Sequence, residues 1–240
     1  MHRNTAIDIG GNLERVWDAI AAAARAAGRS SDEVTLVAVS KRQPVELIAA
    51  AIAAGQRDFG ESTIQEALPK LEQFRAEALV WHFIGHLQSN KARFVPGNFS
   101  WLHSLDSLAL AQRLSRLASA QGGVLDVLIE VNIARDPTRH GVVRERLIPL
   151  AEQLLRASLP GIRLRGLMAI GPHPATEPEL RAAFSEVRAL HDECRQRFRL
   201  PGFTELSMGM SSDFVPAIRE GATLIRIGTA IFGSRSDAQI

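Results

Sequence analysis

The chain contains no tyrosine, a single cysteine and only 5% aromatic residues. Chemistry that needs a phenol as acid or base is therefore excluded. The one thiol, Cys194, cannot close an internal disulfide and has no partners at metal-ligand spacing, which suits a reducing compartment and a cytoplasmic location. No stretch approaches the about 18 continuous apolar residues of a membrane span. The start of the chain carries Asp8 and Glu14 among its apolar residues and lacks the basic-then-apolar layout of a signal peptide, so neither membrane nor export is expected. Neither sign of charge dominates: 28 Lys and Arg stand against 26 Asp and Glu, for a net charge of +2. The two signs are interspersed, without the basic stripe that nucleic acid requires. His2, His86, His140, His173 and His191 show no cluster with acidic residues at ligand spacing, so no metal is expected. No heptad or large apolar surface is visible, which favours a monomer.

What is present is a chain of 240 residues, 46% hydrophobic and 22% charged, enough for one globular domain over residues 1–240. Residues 7–27 carry Ile9, Leu13, Val16, Trp17, Ile20, Ala24 and Ala27 near helical spacing and predict an N-terminal amphipathic helix stopped by Gly28. Short apolar runs then alternate with helical stretches, the layout of βαβ units. Strands are predicted at Val34–Val39, Asp58–Gly60, Val80–Ile84, Trp101–Leu105, Leu125–Val131, Arg163–Ile170, Thr204–Ser207 and Thr223–Arg226. The intervening helices are predicted from Pro44 to Gly55, Thr63 to Phe74, Leu87 to Phe94, Ser107 to Ala120, Val143 to Ala157, after the Gly171–Pro178 loop to Phe198, and Phe214 to Glu220. Eight such units with almost no linkers predict an α/β fold, a single (β/α)8 TIM barrel with an extra N-terminal helix. A dinucleotide-binding sheet is disfavoured because the first turn, Ser40-Lys41-Arg42-Gln43-Pro44, is not glycine-rich.

Barrels place their chemistry at the C-terminal ends of the strands. The first strand delivers Lys41 there, where apolar walls would lower the amine pKa and leave it able to attack an aldehyde. An exposed loop lysine is the equally weighted alternative. The last strand runs through Arg226 into Gly228 and Thr229, whose close backbone approach, amides and hydroxyl suit a phosphate. Ser207-Met208-Gly209-Met210-Ser211-Ser212 adds a second small, hydroxyl-bearing loop, although both are also ordinary turn material. A lysine facing a phosphate cup across the barrel mouth fits a phosphorylated aldehyde bound to the amine. His82, Asn90, Lys91, His103 and Asp106 are secondary candidates for lining that mouth. Met168, Met208 and Met210 read as core or cofactor wall, and Cys194, inside a helix, as core.

The segments Val37-Ala38-Val39-Ser40-Lys41, Phe59-Gly60-Glu61, Trp81-His82-Phe83-Ile84-Gly85 with Leu87-Gln88-Ser89-Asn90-Lys91, Arg165-Gly166-Leu167-Met168-Ala169, Leu206-Ser207-Met208-Gly209-Met210-Ser211, and Arg226 through Gly233 resemble, in order and from about residue 7 to 235, the pyridoxal phosphate homeostasis protein family. Members resemble the N-terminal barrel of fold-type III enzymes such as alanine racemase without its second domain. The resemblance implies a pyridoxal 5'-phosphate (PLP) cofactor in Schiff-base linkage to Lys41. It further implies a phosphate held by Ser207, Gly228 and Thr229, and Arg226 facing the pyridine nitrogen, with His82, Asn90 and Met210 as secondary cofactor contacts. A guanidinium at that nitrogen weakens the ring as an electron sink. Because the second base of a two-base racemase is a tyrosine, that route is closed here. Two departures stand out. Ser62 replaces the family's asparagine after Gly60-Glu61, and Arg139 stands where relatives often have a lysine before Gly141, so any role there needing an amine is in doubt.

The implied function is a PLP-binding protein of vitamin B6 homeostasis, not an enzyme, with PLP-dependent apo-enzymes as recipients. The alternatives are a weak one-base racemase-like enzyme using Lys41, a Schiff-base aldolase without cofactor, and a ligand-free barrel.

Overall fold

The computed structural model describes residues 7–233. His2 and the outermost ends of the 1–240 unit lie outside the described residues. Eight parallel strands, β1 (Thr35–Val39), β2 (Asp58–Glu61), β3 (Val80–Phe83), β4 (Trp101–Leu105), β5 (Leu125–Val131), β6 (Ile162–Ala169), β7 (Glu205–Ser207) and β8 (Leu224–Ile227), are hydrogen-bonded in chain order and form a closed barrel. The closing pair sets Val37 beside Arg226 and Ala38 beside Ile227. Around the strands lie α1 (Ile9–Ala26), α2 (Val45–Ala53), α3 (Ile64–Gln73), α4 (Leu108–Ala120), α5 (Arg144–Arg156), α6 (Glu177–Phe198), α7 (Phe214–Arg219) and α8 (Thr229–Phe232).

The apolar spacing explains these elements. In α1, Ile9, Leu13, Val16, Ile20, Ala23 and Ala24 make one buried stripe, and the Asp8 side chain accepts from the Gly11 amide to cap the first turn. Every residue of β5 is buried, because a barrel strand is covered on both faces. Val127, Ile129 and Val131 join the core between strands and helices, while Leu128 joins Val37, Met168 and Leu224 in a separate small cluster that the alternation of side chains directs into the barrel. Strand and helix ends differ from the sequence expectation by one or two residues, as fraying termini do. The larger difference lies after β3, where Ser89–Phe94 is a 3-10 segment. Cys194 is fully buried in α6, and burial pushes its thiol up to about 12.

Candidate functional site

Lys41 begins the turn that leaves β1, and it is exposed at the mouth. The apolar burial expected from sequence is therefore not what prepares this amine. Its backbone is fixed instead. Arg42, the next residue, has φ of 60°, a left-handed conformation that a non-glycine residue keeps only when its surroundings hold it. The Arg42 amide donates to Glu66 on α3. Lys70, also on α3 and 6% exposed, donates from Nζ to the Ser40 carbonyl at 2.8 Å, to Glu61 Oε1 at 2.9 Å and to Glu66 Oε1 at 2.7 Å. Ser40 Oγ donates to the same Glu61 oxygen at 2.8 Å. Burial pushes the Glu61 carboxyl above its ordinary value, against the pull of Lys70. Burial acts in the same direction on Glu66, but the hydrogen bonds from Lys70 and Arg42 outweigh it and hold that carboxyl low.

The Gly228–Thr229 turn lies beside the Lys41 turn, not across from it. In an eight-stranded closed barrel the last strand pairs with the first, so the expected arrangement across the mouth is corrected to two neighbouring turns. A Cβ added at Gly228 would stand 3.3 Å from the Val39 carbonyl and 3.4 Å from Val39 Cβ, so a side chain there would crowd the end of β1. Thr229 is exposed, and the Ala230 amide lies 3.4 Å from Ser211 Oγ, which links the β8 turn to the β7 loop. That loop turns through Gly209, with φ of 96° and its Cα facing Ala217 too closely for a Cβ. The Met210 amide donates to Asp213, and Met210 itself is half-buried.

Arg226 and Ser207 form the floor. Arg226 is 5% exposed; its Nη1 donates to Ser207 Oγ at 2.6 Å and its Nη2 to the Ala169 carbonyl at 3.0 Å. Burial lowers the guanidinium to about 10, with Asp213 and Glu130 as opposing charges, so it stays protonated at neutral pH. Ser207 is fully buried, its oxygen also 2.9 Å from His103 Nδ1. It therefore lies beneath the mouth with its hydroxyl already engaged.

The secondary candidates separate. His82 and His103 do not line the mouth: they are buried in the middle of β3 and β4, because strand alternation turns both into the barrel. Asn90 is exposed on the 3-10 segment. Asp106 lies 3.9 Å from His86, which stacks on His140 with ring centroids 3.6 Å apart. Arg139 donates to the Gly171 carbonyl at 2.8 Å, pinning the β5 loop to the β6 loop. Sequence reasoning missed Glu130. It is inward-facing near the end of β5, and burial, opposed by Arg226 and reinforced by Asp106, raises its carboxyl to about 7. It also missed Lys70 and Glu66, which read as surface charges on an amphipathic helix.

The family model for the N-terminal domain of alanine racemase matches residues 15–236. The pyridoxal phosphate homeostasis protein of Escherichia coli (strain K12) is 46% identical over 232 residues, covering 95% of this chain and 97% of the relative. PipY of Synechococcus elongatus PCC7942, solved with PLP bound, superposes with a TM-score of 0.83 at 40% identity over 94% of this chain and 100% of that one. The same protein solved without PLP gives 0.80 at 44% identity, covering 84% and 93%.

Proposed function

Because this chain belongs to the pyridoxal phosphate homeostasis protein family, we propose that it binds PLP as a Schiff base on Lys41 and carries it without sustained turnover of its own. The observation that carries this reading is the juxtaposition of the fixed Lys41 turn with the Gly228–Thr229 turn at the β1–β8 closure. Bound there, the cofactor supplies an aldehyde for the amine and a ring able to withdraw electrons.

The residues fit that group. Gly228 lets the β8 turn pack closely on the end of β1, where a Cβ would crowd Val39, and the backbone of the Gly228–Thr229 turn is what we assign to the phosphate. Thr229 and Ser211 offer hydroxyls on the two adjoining turns, while Ser207 acts from beneath by holding Arg226. Arg226, charged and donor-only, opposes protonation of a ring nitrogen placed against it and so handicaps carbanion chemistry. The carrier role assigns PLP-dependent apo-enzymes as recipients.

One observation favours a second reading. Glu130, held near 7 and coupled to Arg226, is a group able to exchange a proton at neutral pH, as a weak amino-acid enzyme would need. Sustained turnover of an amino acid, lost in both Lys41→Ala and Glu130→Gln, would replace the carrier reading.

The first test is the absorbance spectrum of the PLP-treated protein before and after borohydride reduction. With only three lysines in the chain, Lys41, Lys70 and Lys91, peptide mapping of the reduced adduct is unambiguous. A visible band is expected that reduction bleaches, leaving the reduced adduct on the Lys41 peptide, and that Lys41→Ala lacks. No band in the presence of added PLP would overturn the proposal.

A further inference from the structure

Inward residues of five strands make a continuous series of hydrogen bonds through the barrel. Arg226 Nη1 lies 2.6 Å from Ser207 Oγ, and Ser207 Oγ lies 2.9 Å from His103 Nδ1. His103 Nε2 is 3.0 Å from His82 Nδ1, and His82 Nε2 is 3.0 Å from Asp58 Oδ1. The bond between β4 and β7 crosses the barrel interior, since those strands are not neighbours. Arg226, Ser207, His103 and His82 are all buried. Asp58 opens β2 at the end of the barrel away from the mouth, and its side chain is 27% exposed.

The direction of every bond follows from its two ends. A guanidinium only donates, so Ser207 Oγ accepts from Arg226 and its own proton is available to His103 Nδ1. A carboxylate only accepts, so His82 carries its proton on Nε2. A neutral His82 then accepts at Nδ1, which places the His103 proton on Nε2 and leaves His103 Nδ1 to accept from Ser207. Both ends of the chain require the same tautomers. Burial disfavours charging both rings, His103 most strongly with His82 and Arg226 beside it. All the bonds thus run from guanidinium to carboxylate, and each polarises the next.

We propose that this oriented chain is a positioning device: Asp58, His82 and His103, through Ser207, fix the Arg226 guanidinium against the cofactor ring without touching the cofactor themselves. The proposal rests on the reading that Arg226 faces the ring nitrogen. Glu130 and Asp213 are the other charges acting on Arg226, and neither belongs to the chain.

Two measurements test it. The first is long-range ¹H–¹⁵N NMR of the imidazoles in the cofactor-free protein, near neutral to mildly alkaline pH. His82 and His103 are expected as single neutral Nε2–H tautomers; an imidazolium or an Nδ1–H form at either overturns the orientation. Asp58→Ala is expected to mix the tautomers of both rings, whereas Asp58→Asn, which keeps an acceptor oxygen, restores them. Ser207→Ala breaks the chain from the other end with a small change in volume, so the test survives should Asp58→Ala fail to fold. The second measurement is the pH titration of the visible band of the PLP-loaded protein. In Asp58→Ala the midpoint is expected to move to higher pH, because a guanidinium no longer held at the ring opposes the protonated form less. An unchanged midpoint with altered tautomers overturns the link to the cofactor. A colourless protein with the stated tautomers overturns the cofactor reading and leaves the oriented chain standing.

Discussion

At Glu130 the cost of burying a carboxylate exceeds the attraction of Arg226, and Asp106 adds like-charge repulsion, so the carboxyl rises from 4.5 to about 7. Between those values the folded chain holds a proton that the unfolded chain has released. Stability from this group is therefore lost as pH rises through that window, by up to about 3 kcal/mol on the linkage slope. His82 and His103 act in the opposite sense. Their folded values lie below 6.5, so the unfolded chain takes up protons first as pH falls, and the stability they contribute is lost below that point. The two windows overlap, and the profile of the unaltered protein mixes them. Glu130→Gln separates them, because it removes one titration and leaves the imidazoles in place. Urea denaturation should show the variant gaining on the unaltered protein between about pH 5 and about pH 8; a difference that stays constant over that range would refute the assignment. In sequence, Glu130 is one of two acidic residues in the otherwise apolar run Leu125–Val131. Its place opposite Arg226 depends on a barrel closure that no local pattern displays.

Helix α3 is what holds the Lys41 turn. Lys70 brings one ammonium to the Ser40 carbonyl, Glu61 and Glu66, and Glu61 Oε2 remains buried with no hydrogen bond among the described residues. Removing the cation leaves Glu61 as an uncompensated buried charge, so Lys70→Met is expected to cost about 3–5 kcal/mol. The double variant with Glu61→Gln should recover much of that loss, which denaturant unfolding of the three variants measures. Lys70→Met should also lower the yield of Schiff base on Lys41, since the Ser40 carbonyl loses its donor. Equal yields would mean that the left-handed turn at Arg42 needs no help from Lys70. Strand β5 was readable because seven consecutive residues are covered on both faces, and α1 because its apolar stripe is long. The 3-10 segment Ser89–Phe94 has the apolar spacing of an ordinary helix, since so few residues do not separate the two. Lys41 and Arg226 could be found by following strand ends. Lys70 could not, because two of its three partners, Glu61 and Ser40, lie 9 and 30 residues away and a helix lysine is usually solvated. Ser207 belongs to a loop that looks like a phosphate turn, while strand alternation sends its side chain to the floor.

For the whole molecule the weak point of a closed barrel is its seam, where the last strand must meet the first across the full length of the chain. Here α1 spans that seam. It packs on α7, α8 and α2, Asn12 Nδ2 donates to the Ile231 carbonyl at 2.8 Å, and Arg29, just beyond its end, donates to the Ile218 and Ala222 carbonyls at 3.0 and 2.9 Å. Those carbonyls lie at the end of α7 and in the loop leading to β8, so the first helix is tied to the last two βα units. One hydrophobic cluster runs from Ile9 to Phe232, which gives α1 no core of its own in which to persist once the barrel opens. The chain should therefore unfold as a single cooperative unit. Tryptophan reports on both parts, because Trp17 sits on α1 while Trp81 and Trp101 sit on β3 and β4. Fluorescence and far-ultraviolet circular dichroism should give coincident urea transitions. Arg29→Ala, which removes a charged donor from two carbonyls, should move both together by about 1.5–3 kcal/mol. A fluorescence change that precedes loss of the barrel signal would show that α1 detaches first, and closure at the Lys41 turn would then rest on the β1–β8 pairing alone.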